Sequence, residues 1–279
     1  MRDRFFIVDT HGFMYRALYK RGAPLTSSSG EPTRGTYYFC RMLFSLVDHH
    51  KPEYMALVLD APRDTTWRRS IYPPYKDNRD KGAISKEHLI QIKRIQQIIR
   101  MLGIAVVEAP THEADDLIAS LVDTCASDAV QCVIVTRDKD LHQLVSKNCI
   151  IYDPQDEVWI DEKKVYKHWG VTPRQVVEMQ TLTGDRTDNV PGVVGIGPKK
   201  ALQLVRSYGT VEKMVEAVDT LPPSIQKAFK SADLRMCRKL VELRRDAPLS
   251  VDSKDLEFNG FAMKKLRPLF RELGFRAWS

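Results

Sequence analysis

The chain has little cysteine and uses it without pattern. Cys40, Cys125, Cys132, Cys149 and Cys237 are odd in number and widely spaced, with no Cys-x-x-Cys pair. That excludes a disulfide framework and a cysteine zinc site as organising features. Long apolar runs are also missing, since none approaches the ~20 residues needed to span a bilayer. The first residues enter a strand-like run almost at once, without the charged, apolar and small-residue zones of a signal peptide. These absences lead to the expectation of a cytoplasmic protein that does not engage the membrane. No internal repeat or low-complexity segment interrupts the 279 residues. Two phosphate-binding fingerprints fail as well. Gly195-Ile196-Gly197 lacks the third glycine of a dinucleotide site, because position 200 is lysine, and Pro198 stands where a Walker-type loop needs lysine.

What is present is an ordinary globular composition, 43% hydrophobic and 28% charged. The 43 basic residues outnumber the 36 acidic ones, for a net charge of +7. Yet carboxylates are concentrated. Thr111-His112-Glu113-Ala114-Asp115-Asp116 follows the apolar run Ile104 to Val107 where a helix should begin. Acidic side chains in a first turn complement the helix dipole, and that explains them in isolation. Other strand-like runs, however, also end in carboxylates. Phe5-Phe6-Ile7-Val8 leads to Asp9, Met55 to Leu59 leads to Asp60, and Cys132 to Val135 leads to Asp138 and Asp140. Short β-rich runs alternating with helical segments read as a buried parallel sheet, whose ligands bind at the carboxyl ends of the strands. Carboxylates crowded along one edge repel each other unless cations sit among them, so the pattern points to metal binding. A basic surface around an acidic pocket suits a polyanionic substrate.

The expected elements are strands at 4–9, up to Asp60, at 104–107 and up to Val135, with Cys149 to Tyr152 as an edge strand. Helices are expected from Phe13, over 37–47, over 87–102 and from about 113. Arg16, on the first helix, stands where it could reach a phosphate near Asp9. Residues 61–86 read as a long loop in which Arg63, Arg68, Arg69, Lys76, Arg79, Lys81 and Lys86 alternate with Trp67, Tyr72 and Tyr75. Basic residues mixed with aromatics fit a single-stranded nucleic acid path. From about residue 160 the pattern is helical. There Asp185 and Asp188 lie on a turn, and Pro191 to Ala201 leads into a helix ending near Gly209. Gly192, Gly195 and Gly197 free backbone amides for an anion at that helix start, beside Lys199 and Lys200.

Taken in order, these motifs resemble the 5′-nuclease, or flap endonuclease, family, in particular the 5′→3′ exonuclease domain of bacterial DNA polymerase I. The markers are Asp9 with Met14-Tyr15-Arg16-Ala17, Leu59-Asp60-Ala61, and Tyr75-Lys76-Asp77-Asn78-Arg79. They continue through Glu113-Ala114-Asp115-Asp116, Thr136 to Asp140, Gly184-Asp185 to Asp188-Asn189, and Pro191-Gly192 to Ala201. One departure stands out. Thr10 and His11 precede Gly12, whereas the family usually has glycine directly after the first aspartate.

The resemblance implies an α/β, PIN-like three-layer core over about 1–160 with a mostly parallel sheet. It also implies a helical arch insertion at about 61–86 and a helical region over 161–279. That region would hold a helix–three-turn–helix module at about 184–209, with the last helices packing back on the core. By position, Asp9, Asp60, Glu113 and Asp115 resemble the ligands of a first Mg²⁺, replaceable by Mn²⁺. Asp115, Asp138, Asp140 and Asp188 resemble those of a second, with Asp116 and Asp185 in the outer shell. Lys76 and Arg79 match the arch residues on the scissile phosphate, and Gly192 to Lys200 match the duplex-gripping module, which in the family holds a monovalent cation, K⁺. The implied substrate is DNA with a 5′ flap, a nick or a 5′ end, cut by a monomer beside a fused or separate DNA polymerase. Two rival readings stay open: an RNA-cleaving nuclease of the PIN-like fold, and a junction-binding protein without turnover.

Overall fold

The structure, a computed structural model, describes residues 2–79 and 84–279. Alternation in the strands decides the layering. Phe6 and Val8 of β1 (Asp3–Asp9) face one side of the sheet with Met55 and Leu57 of β2 (Tyr54–Val58). Phe5, Ile7, Ala56 and Val58 face the other. Both faces are apolar, so both must be covered, and helices cover them. The first face carries α1 (Thr10–Leu18), α2 (Arg34–His50) and α4 (Lys86–Met101); the second carries α5 (Ala114–Cys125). Between β2 and α4 lies α3 (Trp67–Ile71).

The sheet has six strands in the order β3-β2-β1-β4-β5-β6, adding β3 (Ala105–Val107), β4 (Val130–Val135), β5 (Cys149–Asp153) and β6 (Val158–Ile160). All neighbours are parallel except β5 and β6. In register, Asp9 pairs with Val58, Val58 with Val107, and Val8 with Val135. The loops leaving β1, β2, β3 and β4 therefore start level with one another, which brings their carboxylates to one edge.

Two expectations are corrected here. Cys149 to Tyr152 is not an edge strand, because the three-residue β6 pairs antiparallel outside it. A strand that short has no readable periodicity. Residues 61–79 are not a featureless loop but a short 3₁₀ turn, α3 and a run of turns. Lys81 lies outside the described residues.

Beyond the sheet come α6 (Glu162–Trp169), α7 (Val176–Thr183), α8 (Pro198–Tyr208), α9 (Val211–Glu216), α10 (Pro223–Ser231), α11 (Leu234–Val241) and α12 (Met263–Glu272). A separate apolar cluster holds α7, α8 and α9 together through Met179, Leu182, Leu204, Val205 and Met214. The last helix returns to the core, where Leu266, Leu269 and Phe270 join the face covered by α2. Between α7 and α8 the chain crosses itself closely. A β-carbon on Gly184 would sit 2.3 Å from the Val190 carbonyl oxygen, and one on Gly192 would sit 2.3 Å from the Gly184 nitrogen. Both glycines also have positive φ, 66° and 64°. Gly184→Ala should therefore cost about 3 kcal/mol or more, combining backbone strain with overpacking. Urea denaturation checks this, and a loss under about 1 kcal/mol would contradict the crossing.

Candidate active site

At the carboxyl edge of the sheet lies an open cavity of about 1010 Å³. It brings together Asp9, Asp60, Glu113, Asp115, Asp138 and Asp188, facing Lys76 and Arg79. Local structure places each one. Asp9 caps α1 by accepting the Gly12 amide and also accepts the Thr136 hydroxyl at 2.9 Å. Asp60 accepts the Ala114 amide at 2.7 Å, which ties the β2 loop to the start of α5. Asp138 caps the turn after β4 by accepting the Asp140 amide at 2.8 Å. The remaining wall is α4, through Gln96, Gln97 and Arg100, with Arg100 held by Glu108.

The cluster is braced by cations from residues 68–79. Arg68, 2% exposed, donates to both oxygens of Asp116 at 2.7 Å and to Glu113 at 2.9 Å. Lys76 donates to Glu113 and lies 3.5 Å from Asp188. Arg79 donates to Asp188. The Tyr75 hydroxyl donates to Glu113 at 3.0 Å and to Asp188 at 3.1 Å. Burial alone would make Lys76 easier to deprotonate, but Glu113 and Asp188 outweigh it and hold its ammonium charged.

Several sequence-based assignments change. Tyr75 is 3% exposed and cannot stack on a base, because its ring is packed inside and its hydroxyl is spent on carboxylates. Trp67 donates its indole N–H to Asp116 at 2.8 Å and lies under the Arg68 and Arg244 guanidinium groups. Trp67, Arg68 and Tyr75 thus form an internal brace rather than part of a strand path. Asp116, expected in the outer shell, does not line the cavity and reaches Glu113 only through Arg68. It is fully buried, and Arg68, Trp67 and the Arg244 amide take up its oxygens. Asp140 and Asp185 stand outside the cavity: Asp140 accepts from Gln180, and Asp185 pairs with Lys139 at 3.2 Å. Nothing in the sequence pattern marked Arg68 as buried, or the glutamines of α4 as a cavity wall.

The departure after Asp9 has a local consequence. A β-carbon at Gly12 would approach the Asp9 carboxylate to 2.6 Å, so the glycine two positions later than usual keeps space beside this carboxylate. His11 lies 3.1 Å from the Asp60 carboxylate and accepts the Asp60 amide. Arg16 points to the Pro154 carbonyl at 2.9 Å rather than to Asp9. In the α7–α8 loop, Gly195 (φ 81°) and Gly197 have open space around them, and Lys199 and Lys200 are exposed at the start of α8. That loop lines a second cavity of about 1010 Å³, which includes Gly195, Gly197 and Lys199.

Among the described residues no three acidic or histidine side chains form a ready-made cation cage. The donor set nevertheless fits hard divalent ions. It is all oxygen, and its charges are uncomfortable without them. Burial, then the Asp60 charge, pushes Asp9 up to about 6 against the pull of the Gly12 amide. Burial and the neighbouring Asp138 and Asp185 charges push Asp140 up to about 7. Asp115 is raised well above the ordinary carboxylate range by burial and by Asp138, and Asp138 is raised chiefly by burial.

Two family models cover the chain, the 5′-3′ exonuclease N-terminal resolvase-like domain over residues 4–170 and the 5′-3′ exonuclease C-terminal SAM fold over 171–264. The chain belongs to the 5′-3′ exonuclease family. This 5′-3′ exonuclease family member is 35% identical over 272 residues to a 5′-3′ exonuclease of Aquifex aeolicus, covering 98% of this chain and 92% of that protein. It is 33% identical over 275 residues to the thermostable DNA polymerase I of Thermus filiformis, covering 98% of this chain but 32% of the polymerase. Among solved structures, the bacteriophage T5 flap endonuclease in a complex with DNA and metal ions superposes with a TM-score of 0.72 at 17% identity, over 99% of this chain and 96% of that one. At that identity the likeness concerns the fold.

Two predictions follow from the charges. Arg68→Ala should destabilise the chain by about 3–5 kcal/mol, because it leaves buried carboxylates uncompensated. Adding Asp116→Asn should then cost much less than it does alone, and a denaturation double-mutant cycle that came out additive would deny the brace. The second concerns pH without divalent ions. The folded chain holds protons on Asp9 and Asp140 more tightly than the unfolded chain does. Their contribution to stability is therefore full below about pH 4 and is lost as pH rises through 6 and 7. Mg²⁺ should raise the melting temperature more at pH 7.5 than at pH 5; an equal rise at both would argue against these protons.

Proposed function

We propose that this chain is a structure-specific 5′ nuclease that hydrolyses DNA phosphodiester bonds at 5′ flaps and 5′ ends, with two Mg²⁺ ions that Mn²⁺ can replace. The observation that carries the reading is one cavity in which six carboxylates face Lys76 and Arg79. Asp9, Asp60, Glu113 and Asp115 would hold one ion, and Asp115, Asp138 and Asp188 the other, with Asp140 behind Asp138. Such ions supply a nucleophilic water at neutral pH and stabilise charge on the attacking and leaving oxygens. The chain's own part is to position and to shield charge. Lys76 and Arg79, both beside Asp188, stand where a phosphate among these carboxylates would meet two donors, and their attraction strengthens as water is excluded.

The duplex would be held away from the cut. Gly195 and Gly197 leave open space where amides of the α7–α8 loop could approach a phosphate, the loop from Gly192 onward would hold K⁺, and Lys199 and Lys200 would add salt-sensitive attraction. The domain division is then a nuclease core to about residue 160 and a DNA-holding region from 161 to 279. The family's recurrence inside DNA polymerase I supports work beside a polymerase, and the protein would act as a monomer in the cytoplasm.

Cleavage of a 5′-flap DNA with and without Mg²⁺, against the same flap in RNA, tests the reading. Asp115→Asn should reduce the rate at least a thousandfold, on the order of the loss of a group acting on charge in the transition state. DNA affinity should stay within about threefold, because binding rests on distant basic surfaces. Full activity of the variant in Mg²⁺, or preference for the RNA flap, would overturn it.

A further inference from the structure

Of the rings expected to stack on bases, Tyr75 is buried and Trp67 and Tyr72 are half-buried, yet the surface does carry stacked, exposed rings elsewhere. Tyr15 and Tyr19, one turn apart on α1 and its end, are 38% and 62% exposed. Their rings lie nearly parallel, 18° apart, with centroids 6.4 Å apart. His88, at the start of α4, meets Tyr19 edge-on at 4.8 Å and fixes its outer side.

These rings line a groove of about 700 Å³ that opens from the same carboxylate edge. The groove shares Asp9, Gly12, Tyr15 and Asp138 with the main cavity, so a strand lying over the carboxylates can continue into it. Three cations border it, Arg16, Lys20 and Arg137. They are not a uniform basic strip. Arg137 is already paired with Asp153 at 3.1 Å and Asp156 at 3.5 Å, and Lys20 sits over the Tyr38 ring. Arg16 has one guanidinium nitrogen, Nη1, that is buried and has no hydrogen-bond partner among the described residues. With its cations partly committed, the groove favours base faces over phosphates.

We infer that this groove is a stacking track for unpaired DNA, in which Tyr19 carries the base next to the one on Tyr15 as the strand leaves the carboxylate cluster. The inference rests on the nuclease reading for its substrate and adds the subsite. A duplex hides its base faces, so only an unpaired strand can use two exposed rings, and stacking tolerates any base sequence.

The test uses the full chain and two 5′-flap DNAs, one with normal nucleotides in the unpaired arm and one with abasic sites near the junction. Half-saturation in single-turnover cleavage with Mg²⁺ should be about tenfold lower for the normal arm, the size expected of one base–ring stack. Tyr19→Ala should erase that difference by weakening the normal arm alone, whereas Tyr19→Phe should keep it. A purely structural role would weaken both arms together. If the native chain ignores the abasic sites, or if Tyr19→Ala keeps the full difference, the track is refuted. Fluorescence anisotropy on the same two DNAs reads the discrimination without turnover. A chain that discriminates there but cuts neither DNA would sink the nuclease reading and leave the stacking site standing.

Discussion

Mutual repulsion among carboxylates at one sheet edge is the constraint on which the rest of this structure depends. Parallel register delivers them there whether or not their charges are compatible. The chain answers with its own cations. Arg68, Lys76 and Arg79 enter from a single short segment; Arg68 and Lys76 share Glu113, and Lys76 and Arg79 share Asp188. Desolvation makes such pairs costly to form and costlier to break singly.

The same segment joins the two halves of the molecule. The Arg68 guanidinium donates to the Leu240 carbonyl in the last turn of α11, and the Lys76 amide donates to the Asp188 carbonyl in the α7–α8 loop. Asn189 returns a hydrogen bond to the Pro74 carbonyl. The loop proposed to hold duplex DNA and the proposed metal ligands therefore share one scaffold. A displacement in either is felt at Asp188, which belongs to both.

How much of this was legible beforehand varied with the physics behind each feature. The four carboxylate-ending strands were readable because buried parallel strands are continuous apolar runs. Their common edge followed from topology. The sheet's true margin was not readable, since β6 has three residues and no period to detect. Trp67, Arg68 and Tyr75 were misread for a sharper reason. A basic and aromatic stretch looks the same whether it faces solvent or braces a buried acid, and only the partners decide. Those partners, Asp116 and Glu113, lie between 38 and 49 positions away. Tyr15 and Tyr19 show the converse, an ordinary helical pair whose exposure no spacing announced.

The buried brace also limits how this chain can drift over generations. Loss of Glu113 alone would leave Arg68 and Lys76 facing less negative charge in the interior, and loss of Arg68 alone would leave Asp116 without its bidentate partner. Either single step passes through a poorly stable intermediate. Acid and base are thus free to change only as matched sets, and a descendant that abandoned cleavage would keep much of the charge pattern long after the chemistry had gone. Intact carboxylates in such a lineage would testify to folding before they testified to activity.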